Sequence, residues 1–359
     1  MRWIMLALGL ASVGAGRAQP AQREPESPQA TRPALIDTEA HRAEAVQRLA
    51  TALEENYVFP DFARRYAQTI RAKLLAGGYT NLGENFAAAV TADLQAVHPD
   101  RHLRIGRSPS PGGSGPRMMR TPSSSSQIDA SGWIADGVAF ISFRSFPGDP
   151  ETLETLRRFL QLHQDARALI FDLRNNRGGG TAELDLISSW IFARETLLLA
   201  GDTRLEVDQR RESPVPDRPT LRRATGPAGV VRRLQYAVPS EPATPLRSAR
   251  VFVLVSSHTA SAAEHFAMAL KRTQRATLIG ETTAGFGNYG EAVDIGYGYI
   301  AFIPIGRTFD PDTGEGWEGV GVVPNVSVPA ERALEEALGR LGVTPAQRHP
   351  LDNVGALSN

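Results

Sequence analysis

The sequence contains no cysteine among its 359 residues, which excludes disulfide bonds, a thiol nucleophile, a cysteine-rich metal site and a lipobox cysteine for lipid attachment. Lysine is also scarce, with only Lys73 and Lys271 in the whole chain. Acidic and basic residues number 39 each, so no overall basic field attracts nucleic acid or an anionic membrane surface. Small or peptide-like partners therefore remain the open classes, and we expect no nucleic acid partner.

Long apolar runs are missing as well. The run over residues 3–11 is about half of the roughly 20 residues that a membrane-spanning helix needs. It follows Met1-Arg2 and leads into small residues at 15–18, an order typical of a secretory signal peptide. We therefore predict a signal peptide over 1–18 and an exported protein, periplasmic or extracellular, without stable membrane insertion after cleavage.

The composition indicates a folded protein, with 42% hydrophobic and 22% charged residues. The length is sufficient for one large domain and a smaller one, since domains run on the order of 100–200 residues. Apolar residues at helical spacing predict three helices before residue 98. The predicted divisions are a flexible leader (19–35), a helical domain (36–104), a linker or loop (105–131), a main domain (132–345) and a C-terminal tail (346–359).

The main domain alternates short apolar strands with helices. Strands are predicted near 138–143, 168–173, 251–255 and 276–280, and helices near 150–164, 182–193 and 260–273. This alternation is typical of βαβ units and predicts an α/β domain. The Arg- and Pro-rich segment 196–248 is predicted to be an irregular or β-rich insertion.

Ser261 follows the predicted strand 251–255 and opens the next predicted helix. A serine at such a junction lies near free backbone N–H groups and the positive end of the helix dipole, where an oxyanion is stabilised. The alternative is that Ser261 or a neighbouring hydroxyl residue only caps the helix. The pattern alone leaves both interpretations open.

A glycine-rich turn, residues 175–180, ends the buried strand 168–173. Glycines let backbone N–H groups approach a ligand closely. The segment lacks the Lys-Ser/Thr ending of a phosphate loop and the G-x-G-x-x-G spacing of a dinucleotide site. An oxyanion hole is better supported than a nucleotide loop, with an ordinary strand-ending turn as the alternative.

A catalytic serine needs a base. Lys271 lies about 15 Å along the same predicted helix as Ser261 and does not reach back, and Lys73 lies on a surface-like helix. A histidine is therefore expected, and the candidates are His102, His258 and His265. His265 is one helical turn beyond Ser261, whereas His102 lies where the two predicted domains meet, a preferred place for pockets.

Glu318 is flanked by Trp317 and Gly319 in a glycine-rich segment. A carboxylate in this setting can orient a catalytic histidine, as the third member of a triad does. The alternative is a solvated turn carboxylate.

Together these segments resemble peptidase family S41, the tail-specific or C-terminal-processing peptidases, over roughly residues 40–328. The resemblance is closer to the branch with the tricorn core protease and the interphotoreceptor retinoid-binding protein repeats, without a PDZ domain. It implies an α/β fold of the crotonase-like type, with a ββα-type core and a small N-terminal three-helix domain. It further implies a serine-type peptidase of peptide or protein substrates that needs neither a cofactor nor a metal; the oligomeric state stays undetermined.

The resemblance also implies roles for single residues. The family's Ser-x-x-Glu motif matches Ser261 to Glu264, which implies Ser261 as the nucleophile. Processing proteases carry their dyad lysine where this sequence has Phe286. The tricorn-like branch uses histidine and glutamate instead, which match His102, in Asp-x-His-Leu, and Glu318.

The Asn-Asn-x-Gly-Gly turn of the family matches residues 175–179 and implies oxyanion donors at Gly178, Gly179 and Ala262. Tricorn has a serine just before its histidine, whereas this sequence has Arg101. The main alternative function is a non-catalytic binding protein for an apolar ligand on the same fold. An acyl-CoA hydratase of the wider crotonase superfamily shares the fold, but the predicted export argues against a coenzyme A substrate.

Overall fold

The computed structural model describes residues 38–108, 127–210, 213–239 and 243–351, which all belong to one unit, Leu35–Asn359. The predicted signal peptide, the leader and most of the linker lie outside the described residues. None of the described helices is long and apolar enough to cross a membrane. The α-helices of this part of the chain are α1 (Glu39–Asn56), α2 (Pro60–Leu75), α3 (Phe86–Val97), α4 (Pro150–Leu162), α5 (Ala182–Ile191), α6 (Leu205–Asp208), α7 (Ala262–Arg272) and α8 (Ala333–Arg340).

Two sheets accompany these helices, which confirms the predicted α/β class. The strands are β1 (Arg104–Arg107), β2 (Ile128–Ala135), β3 (Val138–Phe143), β4 (Ala168–Asp172), β5 (Thr196–Arg204), β6 (Leu221–Ala224), β7 (Val230–Ala237), β8 (Arg250–Val255), β9 (Thr277–Gly280), β10 (Asn288–Gly296), β11 (Tyr299–Phe309) and β12 (Val326–Ser327). The first sheet has the order β12-β9-β8-β4-β3-β2 and is parallel except for β2. The second has the order β1-β11-β5-β7-β6, with β10 also on β11, and is antiparallel.

The parallel sheet is buried on both faces. In β4, Leu169 and Phe171 face the cluster that contains α4, α5 and α7, whereas Ala168 and Ile170 face the cluster that contains α8. This period of two explains why β4 has a continuous apolar sequence instead of an alternating one, since a strand covered on both faces needs apolar side chains at every position.

The helices α1 to α3 share one hydrophobic core with the antiparallel sheet. Leu49 of α1, Ile70 of α2 and Leu94 of α3 are fully buried in the same cluster as Ala301 and Ile303 of β11. The segment 196–248 contributes β5, β6 and β7, and β5 pairs directly with β11. The antiparallel sheet is therefore assembled from widely separated parts of the chain.

The loops that leave β4 and β8 are bound to each other. The Oγ1 of Thr259 donates to the carbonyl of Leu173 at 2.8 Å, and the N–H of Ala260 donates to the carbonyl of Asn176 at 3.0 Å. These loops lie at the carboxyl ends of neighbouring parallel strands, where open α/β sheets bind their ligands. The glycine turn and Ser261 are thereby brought to one place.

Candidate active site

Ser261 lies between β8 and α7 with φ of 54° and ψ of −120°. A positive φ is costly for a residue with a Cβ atom, by about 1–3 kcal/mol, and persists only where the surrounding contacts enforce it. Here the N–H of Ser261 donates to Oε2 of Glu264 at 2.9 Å. The serine is thus held in a sharp strand-to-helix turn, a geometry typical of an exposed nucleophile.

Glu264 is fully buried and connects this turn with the segment 283–286. Besides Ser261, its carboxylate accepts hydrogen bonds from the hydroxyl of Thr283 at 2.5 Å and the N–H groups of Gly285 at 2.6 Å and Phe286 at 2.7 Å. Burial raises the pKa of Glu264, although these hydrogen bonds lower it in part. Sequence reasoning gave Glu264 no role of its own, but its Ser-x-x-Glu spacing is a capping-box signature that indicates this contact.

Gly178 packs directly against the serine. A Cβ atom at Gly178 would lie 2.7 Å from Cβ of Ser261 and 2.9 Å from the carbonyl oxygen of Ala260, so only glycine fits there. The N–H of Gly178 donates to Oδ1 of Asn176 at 2.8 Å. Gly178 therefore permits the close approach, while its own N–H is already engaged.

Gly179 and Ala262 offer N–H groups beside this contact. Neither N–H donates a hydrogen bond to any residue that the structure describes. Ala262 is the first residue of α7, where the helix dipole is positive and backbone donors are unpaired. These two groups are the available donors for an oxyanion.

His102 lies in the turn between α3 and β1, with 6% of its surface exposed. Its ring contacts the edge of Phe286 at a centroid distance of 4.9 Å and stacks on Phe302 at 5.5 Å. Nδ1 of His102 lies 3.8 Å from Oε2 of Glu318, an ion-pair distance longer than a hydrogen bond. The structure therefore brings the predicted base and its predicted orienting group together.

Glu318 is fixed by backbone donors. Oε1 accepts from the N–H of Arg101 at 2.8 Å, and Oε2 accepts from the N–H groups of Gly287 at 2.7 Å and Asn288 at 2.9 Å. Burial by itself raises the pKa of Glu318, but the interactions with His102, Asn288 and Arg101 outweigh it and hold the pKa below its usual value. The carboxylate facing His102 is therefore charged at neutral pH.

Asp100 is a second carboxylate beside His102, and sequence reasoning gave it no role. Its Oδ2 accepts from the hydroxyl of Tyr57 at 2.8 Å and from Nδ2 of Asn288 at 2.9 Å. Its Oδ1 accepts from the N–H groups of His102 at 3.0 Å and Leu103 at 3.3 Å. Burial, and next the charge of Glu318, raise the pKa of Asp100. The Asp-x-His spacing was the only signal of it in the sequence.

The segment from Gly285 to Asn288 connects the serine with the histidine. The N–H of Phe286 binds Glu264 while its ring packs on His102, and the next N–H binds Glu318. No hydrogen bond joins Ser261 to His102 within the part of the chain that the structure describes. Catalytic hydrogen bonds are often long in free enzymes and tighten when substrate binds.

The other candidate histidines have different surroundings. His258 is exposed in the loop before α7. His265 points from α7 to Oε1 of Gln235, to which its Nε2 is hydrogen-bonded. Burial, with a smaller contribution from the charge of Arg218, lowers the pKa of His265 to about 4, so it is neutral at neutral pH. Within the described residues, neither histidine forms an ion pair with a carboxylate of the kind that joins His102 and Glu318.

Both lysines are engaged away from the serine. Nζ of Lys73 donates to Asp93 at 2.7 Å, and Nζ of Lys271 donates to the carbonyl of Val323 at 2.7 Å. These contacts agree with the choice of histidine over lysine as the base.

Three potential metal ligands, Asp100, His102 and Glu318, have ligand atoms within 4.8 Å of one another. All four carboxylate oxygens of this group already accept hydrogen bonds from the protein. Because these oxygens are already occupied, the group is better suited to orienting an imidazole than to binding a metal ion. A metal ion would have to displace several of these donors.

Comparison with known families agrees with this geometry. The sequence model of peptidase family S41 matches residues 137–328, just over half of the chain. A second model, described as the N-terminal domain of peptidase S41 in eukaryotic IRBP, matches residues 30–131. The two matches cover the parallel sheet with the glycine turn and the serine, and the helices with His102.

Individual relatives are more distant. Carboxyl-terminal-processing peptidase 3, chloroplastic, of Arabidopsis thaliana is 30% identical over 165 residues, which cover 46% of this chain and 26% of that relative. The alignment thus spans about a quarter of the relative's length.

Two solved structures share the fold. A photosystem II D1 C-terminal processing protease has a TM-score of 0.52 at 15% identity, covering 87% of this chain and 99% of its own. A chain from Parabacteroides merdae, described as a candidate peptidase, has a TM-score of 0.58 at 18% identity. The match covers 85% of this chain and 97% of that chain. Identities this low demonstrate the fold alone, whereas the family model decides the assignment. The chain therefore belongs to peptidase family S41, a family of serine-type peptidases.

Proposed function

We propose that this chain is an exported peptidase that hydrolyses peptide bonds through an acyl-enzyme on Ser261. The observation that carries the proposal is the strained turn at Ser261, packed on Gly178 and flanked by the unpaired N–H groups of Gly179 and Ala262. Backbone strain of this kind costs stability and clusters at active sites. Helix capping alone does not require a positive φ, so it does not account for the turn.

The reaction uses one proton carrier. Oγ of Ser261 attacks the carbonyl carbon of the scissile bond while His102 takes the hydroxyl proton. As the C–N bond breaks, His102 returns this proton to the leaving nitrogen. In the second half, His102 takes a proton from water and the water oxygen attacks the acyl carbon. The bond between the acyl carbon and Oγ of Ser261 then breaks, His102 returns the proton to Oγ, and the carboxylic acid product leaves.

Glu318 orients the imidazole and stabilises its positive charge during each transfer. Its lowered pKa supports this role, because only the charged carboxylate attracts an imidazolium. Phe286 and Phe302 cover the ring of His102 and limit its contact with water. A dry environment strengthens the interaction between the two charges.

The developing oxyanion is bound by the N–H groups of Gly179 and Ala262. Gly178 was the third predicted donor, but its N–H binds Asn176, so we assign it the close packing that positions the other two. Each such donor contributes about 2.7–4 kcal/mol to transition-state stabilisation.

The substrate is a peptide or protein met outside the cytoplasm. The relative named a carboxyl-terminal-processing peptidase suggests cleavage near a C-terminus, and residues 1–18 suggest export. Cell fractionation tests the export, which recovery of the protein only in the cytoplasm would contradict. N-terminal sequencing of the exported protein tests the cleavage, which a start at Met1 would contradict.

A fluorophosphonate probe tests the activated serine directly. We expect intact mass and peptide mapping to place the label on Ser261 alone. Labelling should be lost in Ser261→Ala and His102→Ala and retained in His258→Ala, which alters an exposed histidine as a matched control. A folded but unlabelled wild type would contradict the peptidase and support the apolar-ligand binding protein instead.

A further inference from the structure

Asp100 is a fully buried carboxylate that connects three separate parts of the fold. Tyr57 caps the end of α1, Asn288 is the first residue of β10, and His102 and Leu103 belong to the turn of Asp100 itself. All four donate to its carboxylate. A buried carboxylate is costly unless it is hydrogen-bonded, and four donors both offset this cost and hold the group in a single geometry.

The turn that carries His102 is held from both sides. Glu318 accepts the N–H of Arg101, and Asp100 accepts the next two, those of His102 and Leu103. Three successive N–H groups are thereby bound by two carboxylates. The backbone position of His102 is set by these contacts, while its ring is set by the flanking phenylalanines.

We propose that Asp100 is a positioning residue for the peptidase reaction, which fixes the turn of His102 relative to Glu318 and is itself held by Tyr57 and Asn288. This inference rests on the proposed function. It makes the helical region part of the active site, because the hydroxyl of Tyr57 comes from the end of α1.

The charges around Asp100 are few. Glu318 and His102 face it from the site, and Tyr57 and Tyr66 face it from the helices. Burial raises the pKa of both tyrosines, that of Tyr66 to about 12, so both stay neutral donors. Beyond them, Arg204 donates to the carbonyl of Tyr57 at 3.0 Å. Among these groups, the imidazole of His102 is the one that attracts the carboxylate of Asp100.

The test measures how fast the fluorophosphonate labels Ser261, as a function of pH. We expect Asp100→Asn to slow labelling on the order of 100-fold, since small misplacements of a catalytic group cost this much. We also expect the acid limb of its pH profile to move to lower pH, because one negative charge beside the imidazole is removed. Tyr57→Phe, which deletes one donor, should slow labelling by about tenfold.

The matched control is Tyr79→Phe. The hydroxyl of Tyr79 donates to the carboxylate of Asp93 at 2.8 Å, which copies the Tyr57–Asp100 pair in the same helical region without any contact to His102. This variant should label at the wild-type rate. The positioning role of Asp100 would be overturned if the labelling rates of Asp100→Asn and Tyr57→Phe fell only in proportion to the folded fraction of each variant, with an unshifted pH profile.

Failure of this inference is distinguishable from failure of the proposed function. If the wild type is not labelled at all, the peptidase proposal fails. Amide hydrogen exchange then still tests the turn: Tyr57→Phe should speed exchange at residues 101–103, and Tyr79→Phe should not. Unchanged exchange in Tyr57→Phe would overturn the role of Asp100.

Discussion

The serine half and the histidine half of the candidate site are built in different ways. Ser261 and the glycine turn follow two neighbouring strands of one parallel sheet, and their loops bind each other directly. His102 and Glu318 come from distant segments, so that the hydrogen bond from Arg101 to Glu318 spans 217 positions. The first half is a local consequence of strand order, whereas the second exists only once the whole fold has formed.

The two carboxylates that organise these halves also differ. Glu264 and Glu318 each accept backbone N–H groups, but burial raises the pKa of Glu264, and the surroundings of Glu318 lower its pKa. Glu318 has His102 beside it, whereas Glu264 is surrounded by neutral donors. This difference fits the proposed roles, in which Glu264 holds a turn and Glu318 stabilises a positive charge on His102.

The largest expected effect is at the serine itself. Ser261→Ala should lower peptidase activity by on the order of 10⁴- to 10⁶-fold, because the nucleophile is irreplaceable. Ser261→Gly should be equally inactive but more stable than Ser261→Ala by about 1 kcal/mol, because glycine tolerates the positive φ. Thermal unfolding compares the two variants; equal stability would contradict a strained turn.

Glu318→Gln should lower activity by about 10³- to 10⁴-fold through misorientation of His102. A lowered carboxyl pKa stabilises the folded state above its ordinary value of 4.5, and this stabilisation is lost as pH falls through the lower folded pKa. The difference in melting temperature from wild type should therefore be largest near neutral pH and shrink below pH 4.5. A difference independent of pH would argue against a charged Glu318.

Gly178→Ala should lower activity on the order of 100-fold by pushing Ser261 out of place. The control is Gly77→Ala, which also replaces a glycine at positive φ but has no atom within 4 Å of the new Cβ. Both variants should lose about 1–2 kcal/mol of stability from the backbone, and only Gly178→Ala should lose activity. Equal activities, measured with the same peptide substrate, would remove Gly178 from the site.

The smallest effect is expected at Arg101. Its N–H binds Glu318, while its side chain is exposed, and any residue except proline supplies an N–H. Arg101→Ser should therefore change activity by less than about threefold. A large gain would show that a serine hydroxyl at this position adds to the reaction.

The serine half was largely predictable from the sequence. A continuous apolar run marked β4 and β8, and the helix after Ser261 follows from its periodicity and its Ser-x-x-Glu start. The glycine turn was recognisable as a close-approach loop. The hydrogen bond from the N–H of Gly178 to the side chain of Asn176 could not be predicted, because a side-chain hydrogen bond within a turn leaves no pattern in the sequence.

The prediction of the histidine half, His102 and Glu318, depended on the resemblance to the peptidase family. Periodicity located the helices before His102, but nothing local indicates that Glu318 lies beside it, since their contact depends on how β10 and β11 pack on those helices. Asp100 was overlooked for the same reason, because all four of its donors are backbone or distant side-chain groups.

The two halves of the proposed site meet on one serine. A crystal structure of the protein after reaction with the fluorophosphonate would reveal this meeting point. We expect phosphorus on Oγ of Ser261, its free oxygen accepting hydrogen bonds from the N–H groups of Gly179 and Ala262, and the ring of His102 within hydrogen-bond distance of Oγ. An adduct on another residue, or a phosphoryl oxygen pointing to solvent with His102 turned away, would contradict it.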